Sequence, residues 1–251
     1  MCWPRSRNWL RAGNFPDCPD RLFAHRSQRK RGGTMTYNEG LASLARRAKW
    51  ACWLLWLFIG ISAFGIPFGL SVRFVARTEV STIVIGIAGL LYVVLSLIAI
   101  LGSAIAIPAW THRAWANLHL LGLRGLRRRP WWAAISYFVP VAGLFVPFLA
   151  MRELYNRSTG EDEDHDKTSV ADVTSWWTCY VAGTFVTGFI VLIAFFNLNG
   201  RVFVVTSPIM NEAIAIFGNL LMIGAAWFLI RTVRTITAAQ ASSAGVSETF
   251  A

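Results

Sequence analysis

Residues 130–154, PWWAAISYFVPVAGLFVPFLAMREL, decide how this chain sits in a membrane. The stretch is apolar enough to enter a bilayer and, as a helix rising 1.5 Å per residue, about long enough to cross a hydrocarbon core of roughly 30 Å. Pro140, Gly143 and Pro147 interrupt it. Each proline lacks an amide donor and disfavours helix in the residue before it, so FVPVAGLFVP reads as a bend between two short helices. Backbone freed at such a break cannot face lipid and has to be covered by neighbouring helices or water. If the stretch spans, everything after it changes side; if it dips in and turns back, the chain has four full spans.

The composition places the rest of the chain in the same solvent. Of 251 residues, 55% are hydrophobic and only 15% charged, and the mean hydropathy is positive. That is too apolar for an ordinary soluble domain and reads as an all-α, polytopic membrane helix bundle. The net charge of +11 is carried almost entirely by arginines clustered beside apolar runs. This is the pattern of orientation signals and of contact with anionic lipid, and no nucleic-acid reader motif accompanies it, so no nucleic-acid partner is expected. Cys2, Cys18, Cys52 and Cys179 make no CxxC or His-paired spacing, which argues against a disulfide framework or a zinc site.

Outward from the broken stretch, three regions are expected. Residues 1–34 form a basic leader without the apolar core of a secretory signal, and translation is expected to start at Met35; the competing reading is a disordered tail on anionic lipid. Residues 35–235 form one membrane domain, with spans at about 50–70, 81–109, 175–196 and 210–230. A short polar helix ending in Arg46, Arg47 and Lys49 precedes the first span, and Pro108 is expected to mark the inner end of the second. In WTHRAWANLHLL, Trp110, Ala114, Leu118 and Leu121 recur at helical spacing while Arg113 and Asn117 fall on another face. This predicts an amphipathic interfacial helix over 110–123. A re-entrant or interfacial segment over 130–151 and a solvated acidic loop over 157–174 follow, and residues 236–251 read as a disordered tail.

Charge counting favours re-entry. With the N-terminus inside and the broken stretch spanning, six cations (Arg113, Arg124, Arg127, Arg128, Arg129, Arg201) lie in inner loops. Seven (Arg73, Arg77, Arg152, Arg157, Lys167, Arg231, Arg234) then lie outside, against the usual bias. With the stretch turning back, Arg152, Arg157, Lys167, Arg231 and Arg234 move inside, and Arg201 moves outside, leaving ten inside and three outside. Four spans with both termini in the cytoplasm, in the inner membrane of a bacterium, are therefore expected.

The segment WTHRAWANLHLLGLRGLRRRPWWAAISYFVPVAGLFVPFLAMRELYNRS, with SWWTCY beyond the acidic loop, resembles the bacterial membrane-protein family called domain of unknown function 4328. The resemblance rests on Trp110, Arg113, Ala114, Asn117, Pro130, Trp131, Pro140, Pro147, Met151, Glu153 and Leu154, and extends over roughly residues 50–235. Where that family often carries an Asn after the first bend proline and an aromatic before the second, this chain has Gly143 and Val146. The resemblance implies an integral membrane protein and supplies no substrate.

The candidate cluster is Trp110, Arg113, Asn117, Pro140, Pro147 and Glu153. Arg113 and Asn117, four apart, share a helical face. A functional reading makes them a polar clamp for a lipid phosphate or for backbone at the bend, since guanidinium suits phosphate. A structural reading pairs Arg113 with Glu153 and lets Asn117 cap the bend. No paired carboxylates, nucleophile elbow, phosphate loop or spaced metal ligands occur, so no catalytic residue, cofactor or metal is expected and the protein is read as a non-enzyme. The first three spans carry no Asp, Glu, Lys, Arg or His; Glu212 and Asn219, seven apart, put polarity on one face of the last. The expected role is membrane organisation, regulation or assembly with a membrane-protein partner or a second copy. The rival is a small transporter or channel with its site at the Pro140–Pro147 bend.

Overall fold

The computed structural model describes residues 37–74, 78–121, 126, 128–139, 141–160, 170–198 and 207–249. The expected leader, most of the acidic loop and Pro140 itself lie outside them. Every regular element among the described residues is helical: α1 Tyr37–Phe74, α2 Glu79–Leu120, α3 Pro130–Ile135, α4 Val146–Thr159, α5 Ala171–Leu198 and α6 Pro208–Thr249. Two 3-10 turns, Ser136–Phe138 and Ala142–Leu144, join α3 to α4. Four of the helices, α1, α2, α5 and α6, are long and apolar enough to cross a membrane.

Local chemistry sets the ends. Thr78 caps α2, its hydroxyl accepting from the Ser81 amide at 3.2 Å while the Ser81 hydroxyl accepts from the Thr78 amide at 2.8 Å, a reciprocal box that fixes the chain's entry. At the other end of the bundle α4 stops at Gly160, whose φ of +79° is left-handed and free of strain only without a Cβ.

α1 packs along both α2 and α6, and α5 packs along α6. The spans thus form a row in the order α2, α1, α6, α5, and the end members α2 and α5 barely touch. α5 and α6 approach closely at Gly183, where a Cβ would stand 2.9 Å from the Met222 sulfur. The buried core is not central but concentrated at one end. Leu44, Trp110, Trp115, Leu118, Met151, Leu154, Val233 and Ile236 are all buried there, between α1, α2, α4 and α6. Along the rest of α2 and α5, large apolar side chains such as Ile87, Leu90, Phe185 and Val191 are exposed, as lipid-facing positions of a membrane helix are.

Four expectations change here. The helix over 110–123 does not lie apart on an interface: it continues the second span as one 42-residue helix, about 63 Å long, running through Pro108. The reason is burial by protein on the face that was expected to meet lipid: Trp110, Ala114 and Leu118 pack inside, with Leu121 beyond them exposed, and Asn117 of the polar face is buried as well. The polar helix before the first span likewise belongs to the 38-residue α1. The expected disordered tail is helical to Thr249, because Ile236 and Gln240 extend the buried stripe of Val233 by one and two turns. The expected Arg113–Glu153 pair is replaced by other partners, described below. The bend between two short helices is present as read, with α3 and α4 on its two sides.

Candidate functional site

At one end of the core the predicted residues meet in a knot of buried polar groups. Arg113 and Asn117, one turn apart on α2, both point at Gly40 of α1. The Arg113 Nε donates to the Gly40 carbonyl at 3.3 Å. A Cβ on Gly40 would overlap the Arg113 guanidinium and stand 2.6 Å from Asn117 Oδ1, so any larger residue there would push both side chains aside. The Asn117 amide faces Gln240 Oε1 of α6 at 3.5 Å, and the Gln240 amide nitrogen donates to the Ala114 carbonyl at 3.3 Å and to Ser158 Oγ of α4 at 3.0 Å. Tyr37 donates its hydroxyl to the Gln240 carbonyl at 3.1 Å. One glutamine thus ties α1, α2, α4 and α6 together.

Trp110 is fully buried one turn along α2, its indole nitrogen donating to Thr237 Oγ1 at 3.2 Å. Glu153, on α4, is 4% exposed and pairs with Arg128 at 3.6 Å rather than with Arg113. A carboxylate so buried needs such a partner, and Arg128 reaches it from the short stretch just before α3, whereas Arg113 is turned towards α1. Pro147 is buried in the first turn of α4, where a missing amide costs no hydrogen bond. Of the six candidates, then, Trp110, Arg113 and Asn117 share the knot, Glu153 and Pro147 belong to α4 beside it, and Pro140 lies outside the described residues. Gln240, Ser158, Gly40 and Thr237 were not anticipated. The signal for Gln240 was its seven-residue step from Val233 through Ile236, a helical stripe hidden among small polar residues.

A second feature occupies the space between α2 and α5. A cavity of about 720 Å³ lies between them, with Ser62, Tyr92, Ser96, Thr187, Glu212 and Asn219 among its walls. A second, of about 300 Å³, lies towards the core end and is lined by Pro108, Tyr137, Gly143, Trp176 and Ala226 among others. Phe58, Ile100 and Met222 line both, so the two adjoin at a waist made by these side chains, and together they are called the cleft below. Tyr137 and Gly143, from the two 3-10 turns, stand at the core end of that cleft. Asn219 donates to the Ser62 carbonyl at 2.8 Å and joins α6 to α1 along its floor. The expected single polar face of Glu212 and Asn219 is thus the wall of a cleft. Thr184, Ser103 and Tyr180 add to its polar lining, and Cys52 and Cys179 are both free. No cluster of three metal-ligating side chains occurs among the described residues.

A family model described as Domain of unknown function (DUF4328) matches residues 75–238. No curated protein and no solved structure gives a significant match.

Proposed function

We propose a function for a chain that belongs to the Domain of unknown function (DUF4328) family: a non-enzymatic multi-pass protein of the bacterial inner membrane, acting in membrane organisation, regulation or assembly. The observation that carries this reading is how the candidate polar residues are used. Trp110, Arg113 and Asn117 hydrogen-bond Thr237, Gly40 and Gln240, and Glu153 pairs with Arg128, contacts that fasten the helix ends to one another, while Arg113 Nη2 and Asn117 Oδ1 stay buried without a hydrogen-bond partner among the described residues. The molecule becomes a locked base carrying four apolar helices whose outer members, α2 and α5, keep their faces for the bilayer and for other membrane-embedded protein, a partner or a second copy.

In this reading both termini lie in the cytoplasm, and the broken stretch enters the membrane from that side and returns. Two observations support the placement. Ile100–Pro108 of α2 faces Trp176–Tyr180 of α5 in the lower cavity while Tyr92 and Ser96 face Thr187 and Val191 in the upper one, so the helices are antiparallel and level. The segment between them therefore begins and ends at the same end of the bundle, where Arg113, Arg128, Arg152, Arg231 and Arg234 also gather.

A transporter is the second reading, favoured by the cleft itself: it narrows at Met222 and meets the bend at Tyr137 and Gly143. One measurement separates the two. Purified protein in liposomes is expected to show no turnover and no solute or ion flux. A flux that falls when Met222→Trp blocks the waist would overturn the first reading and establish the second.

A further inference from the structure

We infer that the groove between the inner ends of α1 and α6 binds the headgroup of an anionic phospholipid, with Lys49 and Arg234 as its cationic walls. The inference deepens the reading above, since it rests on these helix ends lying at the inner interface. The groove measures about 640 Å³ and is separate from the cleft. Lys49, Trp53 and Trp56 come from α1 and Arg234, Thr237 and Ala238 from α6. On α1 the order along the helix is Ala45, Ala48, Lys49, Cys52, Trp53, Trp56, so the cation sits between a small-residue floor towards the base and two indoles towards the apolar span.

What distinguishes the pair is that both line one groove, while several other cations at this end are held elsewhere. Arg47 donates to the Ala109 carbonyl at 2.7 Å, Arg113 to Gly40, Arg128 pairs with Glu153, and Arg231 pairs with Asp172 at 3.2 Å. Lys49 and Arg234 are exposed and, among the described residues, have no acidic partner. Two uncompensated cations converging on one groove attract a single phosphate. Trp53, 73% exposed, and Trp56, edge-on to Trp227 at 5.5 Å, supply the apolar and amphipathic wall that suits the glycerol and first acyl carbons at an interface. A soluble phosphate would use the cations and leave the indoles without a role, so the ligand is the lipid.

The test is lipid retention by the full chain, purified from liposomes of equal phosphatidylglycerol and phosphatidylcholine with matched chains and read by native mass spectrometry. The wild type is expected to keep phosphatidylglycerol preferentially, and Lys49→Gln with Arg234→Gln to cut that preference about tenfold. Arg46→Gln with Arg129→Gln, an equal loss of charge at exposed positions outside the groove, is expected to leave it unchanged. Equal melting temperatures of the two double variants show that both fold. Preference retained in the groove variant, an equal loss in the control variant, or displacement of the lipid by millimolar glycerol phosphate would each overturn the inference. The liposomes are symmetric, so this result does not depend on orientation. Labelling of a cysteine at position 168 in intact cells reads the topology separately, and its failure leaves the lipid result intact.

Discussion

At the scale of single residues, Gly40 and Gln240 carry more than their size implies. Gly40→Ala places a methyl group against the ends of the Arg113 and Asn117 side chains, which must shift and give up their contacts, and is expected to destabilise the protein by about 1–3 kcal/mol, the range for overpacking. Gly60→Ala, on the same helix with nothing within 4 Å of its added Cβ, should be neutral or stabilising by up to about 1 kcal/mol from helix propensity. Thermal unfolding of both in one detergent checks the contrast; equal shifts would mean that the α1–α2 approach at Gly40 is looser than described. Gln240→Ala should cost about 1–3 kcal/mol, because Ser158 and Asn117 lose a partner while buried. Ser158→Ala combined with it should add less than its single effect, since both act on one network. The sequence pointed to Arg113 and Asn117, because polar residues in an otherwise apolar run declare themselves. It did not reveal what they touch, since Gly40 lies 73 residues from Arg113 and Gln240 lies 123 from Asn117.

At the scale of elements, the four spans were legible because each is a long apolar run, and the bend was legible because proline fixes it locally. The extensions were not. An amphipathic stripe such as Trp110–Leu118 looks the same whether its apolar face meets lipid or protein, and only the arrival of α1, α4 and α6 decides between them. The end of α6 was missed for a related reason: TAAQASSAG has little hydropathy, yet its alanines favour helix and one buried glutamine anchors it. Removing residues 236–251 therefore distinguishes a tail from a structural element. The deletion is expected to lower the melting temperature clearly and broaden the gel-filtration peak in detergent, where a disordered tail would leave both unchanged. Ala239→Pro should do much the same with the chain intact, costing about 3 kcal/mol by removing a helical hydrogen bond, whereas Ala239→Ser should stay within about 0.5 kcal/mol.

At the scale of the whole molecule, the packing and the charge count favour, by independent routes, a bend that returns to the end it left. Charge counting uses only the positions of arginines and lysines relative to apolar runs, and it prefers a bend that returns. Packing uses only side-chain neighbours, and it sets α2 and α5 level and antiparallel, with Tyr137 and Gly143 lining the same cavity as Pro108 and Trp176. A straight crossing by residues 130–151 would have to carry the start of α5 to the far end of the bundle, away from Pro108. A cysteine replacing Thr168, in a chain whose Cys2, Cys18, Cys52 and Cys179 are changed to serine or alanine, should consequently resist a membrane-impermeant maleimide in intact spheroplasts and react once the membrane is opened. A cysteine replacing Arg201, between α5 and α6, should react in both. The reverse pattern, or reaction of position 168 from outside, would place the bend across the bilayer; the ends of α2 and α6 around Arg113 and Arg231 would then lie on opposite sides, which the hydrogen bonds of Trp110 to Thr237 and of Gln240 to the Ala114 carbonyl oppose.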